Sequence, residues 1–75
     1  MSKIPTDLSG REIRAALERA GFVFRRQKGS HMILRRDNPF ARVVIPDHKT
    51  ARVGTLRRII ADAGMSLEQF IQLLL

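Results

Sequence analysis

Between Phe22 and Ile45 apolar and polar residues alternate in three short runs, separated by turn chemistry at Lys28-Gly29 and at Asp37-Asn38-Pro39. Alternation with a period of two marks strands with one buried face. Runs this short, joined by connections this tight, pair as hairpins, so the middle of the chain reads as a three-stranded antiparallel sheet. Gly29 supplies the positive φ of the first turn. In the first run Phe22 and Phe24 share one face, and Val23, Arg25 and Gln27 the other. In the second, Met32 and Leu34 oppose His31, Ile33 and Arg35. The third, Ala41 to Ile45, is β-branched and ends at Pro46, which has no N–H for a ladder. Phe24, Met32, Leu34, Val43 and Ile45 are expected to face a layer of helices. The opposite face carries Arg25, His31, Arg35 and Arg42, with Val23, Ile33 and Val44 between them.

On both sides of this region the period changes to that of a helix. Ser9 with Glu12 three positions on is a capping box, and Leu8 with Ile13 its hydrophobic staple. Ile13, Ala16, Leu17 and Ala20 recur at helical spacing. Gly21 stops this helix, with Phe22 folding back on Leu17 in a Schellman ending. Gly54-Thr55 opens a second helix, whose apolar positions are Leu56, Ile59, Ile60 and Ala63, and Gly64 stops it. Ser66 and Gln69 form another capping box, with Met65 and Phe70 as staple, and Leu67, Phe70, Ile71 and Leu74 make the buried stripe of a third helix. The order α-β-β-β-α-α, with helices on one face of the sheet, is a two-layer α+β fold. The 75 residues are expected to form one domain, 1–75, with a small core.

Charge is segregated along the chain. Ten of the 14 basic residues fall between Arg25 and Arg58, opposed only by Asp37 and Asp47, while the remainder carries a slight acidic excess. Solubility alone needs no such segregation, so a polyanionic partner, nucleic acid above all, is expected. There is no cysteine, which excludes a disulfide framework, thiolate zinc and cysteine nucleophiles. The seven carboxylates are scattered, none paired near a histidine at metal-ligand spacing, so no metal or other cofactor is expected. No apolar run approaches a membrane span, and the N-terminus lacks the apolar region of a secretion signal, so a cytoplasmic location without membrane attachment is the expectation.

Few side chains are suited to chemistry. Ser30 precedes His31, but neighbours on a strand point to opposite faces, which makes a serine–histidine pair geometrically poor. His31 opens a strand beside a turn, where Lys28, Arg25 and Arg35 surround it with positive charge. A histidine there can take the proton of a ribose 2′-hydroxyl or give one to a leaving 5′-oxygen, while the cations stabilise charge on the phosphate. On the residues alone, the reading in which it serves only as a contact to phosphate or to a backbone carbonyl takes precedence. His48, after Pro46-Asp47 in the loop before the second helix, is expected from the residues alone to contact a helix end in preference to RNA. Leu56 to Leu74, broken at Gly64-Met65-Ser66, has helix-turn-helix spacing, yet the third helix has no basic residue and carries Glu68, so it reads as core rather than as a recognition helix.

Arg26-Gln27-Lys28-Gly29-Ser30-His31 followed by Met32-Ile33-Leu34 resembles the signature of HicA toxins, small mRNA interferases of bacterial type II toxin–antitoxin systems. Gly21-Phe22, Ile45-Pro46-Asp47-His48, Gly54-Thr55-Leu56 and Gly64-Met65-Ser66 match as well. The resemblance implies a double-stranded-RNA-binding-domain-like fold, endoribonuclease action on mRNA without a metal, and neutralisation by a HicB-type antitoxin. It puts the catalytic histidine at His31 and makes Gly29 the turn that presents it. Arg25, Lys28, Ser30, Arg35, Arg42 and His48 are the expected RNA contacts, with Lys28 and then His48 as candidates for a second catalytic group. A non-catalytic RNA-binding module, or a protein that chiefly docks to an antitoxin, are the competing readings.

Overall fold

The computed structural model describes residues 3–75; the first two residues of the expected 1–75 domain lie outside it. The elements run α1 (Gly10–Arg19), β1 (Val23–Lys28), β2 (His31–Asp37), β3 (Phe40–Pro46), α2 (Val53–Asp62) and α3 (Leu67–Leu74). This is the α-β-β-β-α-α order of an α+β fold, with one open antiparallel sheet ordered β1-β2-β3.

Local chemistry sets the helix ends. The Ser9 hydroxyl accepts from the Glu12 N–H at 3.1 Å, and the Glu12 carboxylate accepts from the Ser9 N–H at 2.9 Å. Ser66 and Gln69 repeat this reciprocal cap on α3. Both α1 and α2 end in Schellman motifs. At the end of α1 the Phe22 N–H reaches the Leu17 carbonyl at 3.1 Å and Gly21 takes φ 94°. At the end of α2 the Met65 N–H reaches the Ile60 carbonyl and Gly64 takes φ 73°. These φ values are open to glycine at little cost. The reversal at Gly21 drops Phe22 into the core one residue before β1 begins.

The core lies between the sheet and the helices. Met32, Leu34, Val43 and Ile45 pack with Ile13, Ala16 and Leu17 of α1, with Leu56, Ile59 and Ile60 of α2, and with Phe70 of α3. Phe24 is only partly buried, its ring covered by the Arg14 guanidinium at 4.0 Å.

Four details depart from the sequence reading. The second helix starts at Val53, with Arg52 as an N-cap that makes no side-chain cap bond; Gly54 and Thr55 lie in its first turn. Lys28 and His31 are paired, so the two turn residues are Gly29 and Ser30, with φ 59° at Gly29. In α3, Leu73 joins Leu67 and Leu74 against the core in place of Ile71. The fourth departure is a bulge in β1 between Phe24 and Arg26, where Arg25 is the unpaired extra residue. A bulge shifts the alternation by one. Arg26 therefore stands opposite Ile33, and Gln27 opposite Met32. Gln27, expected beside Arg25, has moved to the helix side, where its amide donates to the Gly29 carbonyl and to Asp47.

Candidate functional site

The sheet face turned from the helices is built in rows by the strand register. Lys28, His31 and Pro46 form the first row, and Arg26, Ile33 and Val44 the second. Val23, Arg35 and Arg42 form the third, and Asp37 with Phe40 the last. At about 3.3 Å per residue the face is about 20 Å long from Pro46 to Phe40. Ile33 is buried although it lies on the open face, outside the main core. It forms the floor of a groove walled by Arg25, Arg26, Arg35, Arg42 and Phe40. Aliphatic stems of arginine shield an apolar floor while their guanidinium heads stay in water.

The bulge explains why so much charge collects here. Strict alternation would send one of two adjacent arginines toward the helices; the extra residue at Arg25 lets both Arg25 and Arg26 line the same groove. Among the described residues neither they nor Arg42 is salt-bridged to a carboxylate. Arg35 is different, since its Nε lies 2.9 Å from Asp37.

His31 is exposed at the end of the face next to the Gly29-Ser30 turn. Its neighbour across the register is Lys28, on the same face. It also borders a groove of about 440 Å³ between β3 and α2, with Arg42, Val44, Pro46, Thr55, Arg58 and Asp62 among its lining. The α2 contribution was missed from sequence, though Thr55, Arg58 and Asp62 stand at the three- and four-residue spacings that share one side of a helix. Arg58 is only loosely engaged by Asp62, at 3.9 Å and on an exposed surface.

The remaining candidates divide. His48 does not border the His31 groove; it lines an adjacent one with Thr50, Ala51 and Arg52, the two grooves sharing Pro46 and Thr55. Ser30 is exposed in the turn, and what it contributes is its carbonyl, which accepts from the Asp47 N–H at 2.6 Å. Arg36, part of the basic run, stands on the helix side: it donates to the Ala63 carbonyl at the end of α2 and lies over the Phe22 ring at 4.7 Å.

The segment after β3 is clamped to the start of α1. Gly10 donates its N–H to the His48 carbonyl at 2.9 Å, and Ala51 donates to Leu8. Asp47 lies between Arg11 and Gln27, each at 3.3 Å. The Arg11 guanidinium holds the Asp47 carboxyl below the usual carboxylate range, with smaller contributions from Gln27 and His48, against a partial loss of solvent that acts the other way. The hairpin carrying His31 is thereby tied through Ser30 and Gln27 to the same loop that presents His48.

A family model described as HicA toxin of bacterial toxin-antitoxin matches residues 10–65. This chain belongs to the HicA toxin family. No curated protein sequence matches it. The matched span of this HicA chain takes in α1, the whole sheet and α2, and stops just before the α3 cap. Membership makes it the toxin of a toxin–antitoxin system and implies an antitoxin partner. Among the described residues of this HicA toxin no helix is long and apolar enough to cross a membrane. Nor do three or more of its His, Asp or Glu side chains cluster closely enough to hold a metal ion.

Proposed function

We propose that this HicA toxin is an endoribonuclease that cuts mRNA in the cytoplasm, without a metal ion, with His31 as its general acid or base. The observation that carries this reading is the placement of His31: exposed, paired with Lys28 across the hairpin, and at one end of a sheet face lined by arginines. In the reaction the ribose 2′-oxygen forms a bond to the adjacent phosphorus as the P–O5′ bond breaks. The 2′-hydroxyl proton leaves to a base and the 5′-oxygen receives a proton from an acid. His31 serves one of these transfers. Lys28 is the first candidate for the other and for stabilising charge on the phosphate, because it shares the row of His31; His48 opens into the neighbouring groove and is the second candidate. Arg25, Arg26 and Arg42 hold the RNA backbone, with Arg35 and Ser30 in supporting positions. The antitoxin is a HicB-type protein, acidic where it covers this face, so that RNA and the histidine are blocked together.

His31→Ala is expected to abolish cleavage of purified RNA and toxicity in cells while leaving the fold intact, since the side chain is exposed. Loss of general acid–base transfer lowers the rate by about 10²–10⁴. Wild-type cleavage is expected to continue in EDTA, to leave a 2′,3′-cyclic phosphate and a 5′-hydroxyl, and to stop at a deoxyribose. Among the described residues no side-chain hydrogen bond orients His31, which favours the second reading, an RNA-binding module without chemistry. Undiminished activity of His31→Ala, or cleavage at a deoxyribose, overturns the proposed mechanism. RNA binding with no cleavage by the wild type establishes the second reading.

A further inference from the structure

We infer that Phe40 is a stacking platform for one unpaired base of the RNA, set about 20 Å along the open face from His31; the inference rests on the reading of that face as the RNA-binding surface. Phe40 is 68% exposed, the most exposed of the four phenylalanines, and nothing in the core requires it. The other three are accounted for. Phe70 and Phe22 are buried, and Phe24 lies beneath Arg14. Leaving a large aromatic ring in water costs apolar hydration, and here it occurs beside Arg25, Arg26 and Arg42, which have no carboxylate partner among the described residues. The ring shares a groove of about 360 Å³ with Arg25, Arg26, Arg42 and the Ile33 floor.

That composition selects the ligand. Guanidinium groups without carboxylate partners attract phosphates, and an exposed ring among them offers a π-face to a base. A duplex keeps its bases stacked on one another, so the fit is to a single strand. Stacking accepts any base, so Phe40 adds affinity and register to the substrate without reading its sequence. Asp37, directly across from Phe40, does not repel the incoming backbone unopposed, because its carboxylate is paired with Arg35 at 2.9 Å. Phosphates anchored at Arg25, Arg26 and Arg42 then place the strand along the face, with Phe40 fixing the end remote from the histidine.

The chain contains no tryptophan or tyrosine, so Phe40→Trp creates a fluorophore without background. Wild type, Phe40→Ala, Phe40→Leu, Phe40→Trp and Arg42→Ala are titrated with a 2′-O-methylated RNA hexanucleotide, which lacks the attacking hydroxyl, and with inorganic polyphosphate, which lacks bases. Circular dichroism checks that each variant is folded. Phe40→Ala and Phe40→Leu are expected to lose roughly tenfold in affinity for the hexanucleotide, the scale of one stacked base, and nothing for polyphosphate. Phe40→Trp is expected to retain affinity and to be quenched on binding RNA only. If Phe40→Ala or Phe40→Leu binds the hexanucleotide as wild type does while Arg42→Ala weakens both ligands, the stacking platform is overturned and the basic RNA surface stands. If Phe40→Ala instead weakens only binding of the antitoxin protein, the ring is a protein contact and the inference is likewise overturned. A wild-type protein that binds neither ligand overturns the RNA surface itself, and this inference with it.

Discussion

Arginines of the same basic run do different work, and only their neighbours tell them apart. Arg36 donates to the carbonyls of Ala63 and Pro39 and lies over Phe22, so it closes the end of α2 against the sheet. Its replacement by alanine is expected to lower stability by about 1–3 kcal/mol, through a lost charge-assisted hydrogen bond and a lost cation–π contact, and to leave RNA affinity nearly unchanged. Urea denaturation together with an RNA titration checks both halves. Asp47 gives a pH-dependent case. Its carboxyl is held below the ordinary range by Arg11, so the unfolded state binds its proton more readily than the folded state does. The stabilisation is therefore present above the unfolded-state value, about 3.9, and disappears as pH falls through the lower folded value. Thermal melts of wild type and Asp47→Asn are expected to differ near neutrality and to converge in acid. A gap that widened toward low pH would contradict the Arg11 contact.

The start of α1 is the element where sequence preference and packing conflict most clearly. Alanine favours a helix over glycine by about 1 kcal/mol, so propensity alone predicts that Gly10→Ala stabilises. Gly10 is buried, however, and a Cβ there would collide with the Pro46 carbonyl oxygen, a backbone atom that cannot turn aside. Gly10→Ala is expected to lower the melting temperature by several degrees, an effect on the order of 1–3 kcal/mol for a domain of this size. The damage should spread to the loop after β3, because Gly10 also donates its N–H to His48. Amide exchange around 46–51 is the measurement that locates it. The β1 bulge belongs to this scale too. One inserted residue turns Arg26 to the open face and Gln27 to the other, and so determines both the charge of the groove and the tie from the hairpin to Asp47.

The whole molecule separates two tasks by face. The helix side carries the core, while the open side carries Arg25, Arg26 and Arg42 with an exposed phenylalanine and a histidine at opposite ends. Binding of single-stranded RNA is expected to weaken steeply with salt, each phosphate contact contributing about −0.7 to the slope of log affinity against log salt. Arg42→Ala should reduce the slope by about that amount. Arg35→Ala should reduce it less, since Arg35 already has a carboxylate partner in Asp37 and removing it also releases that negative charge. Affinities measured across a salt series for the three proteins give the slopes. A wild-type slope near zero would remove the electrostatic basis of the surface.

Much of this architecture was determined by residues acting over a few positions. The two capping boxes, the two Schellman glycines, the hairpin at Gly29 and the apolar stripes depend on neighbours within about five residues, which is why element order and the helix-facing core were legible without a structure. The exposure of His31 and the positions of Arg25, Arg35 and Arg42 followed from alternation on the same grounds. Tertiary structure decided what local patterns do not encode. The bulge that recruits Arg26 reflects how β1 meets β2, not a period in the sequence. The separation of His48 from the His31 groove, the contribution of α2 to that groove, the burial of Gly10 and the helix-side position of Arg36 all depend on contacts between segments distant in the chain. Such contacts are chosen by packing the whole core at once, and no single stretch of sequence contains them.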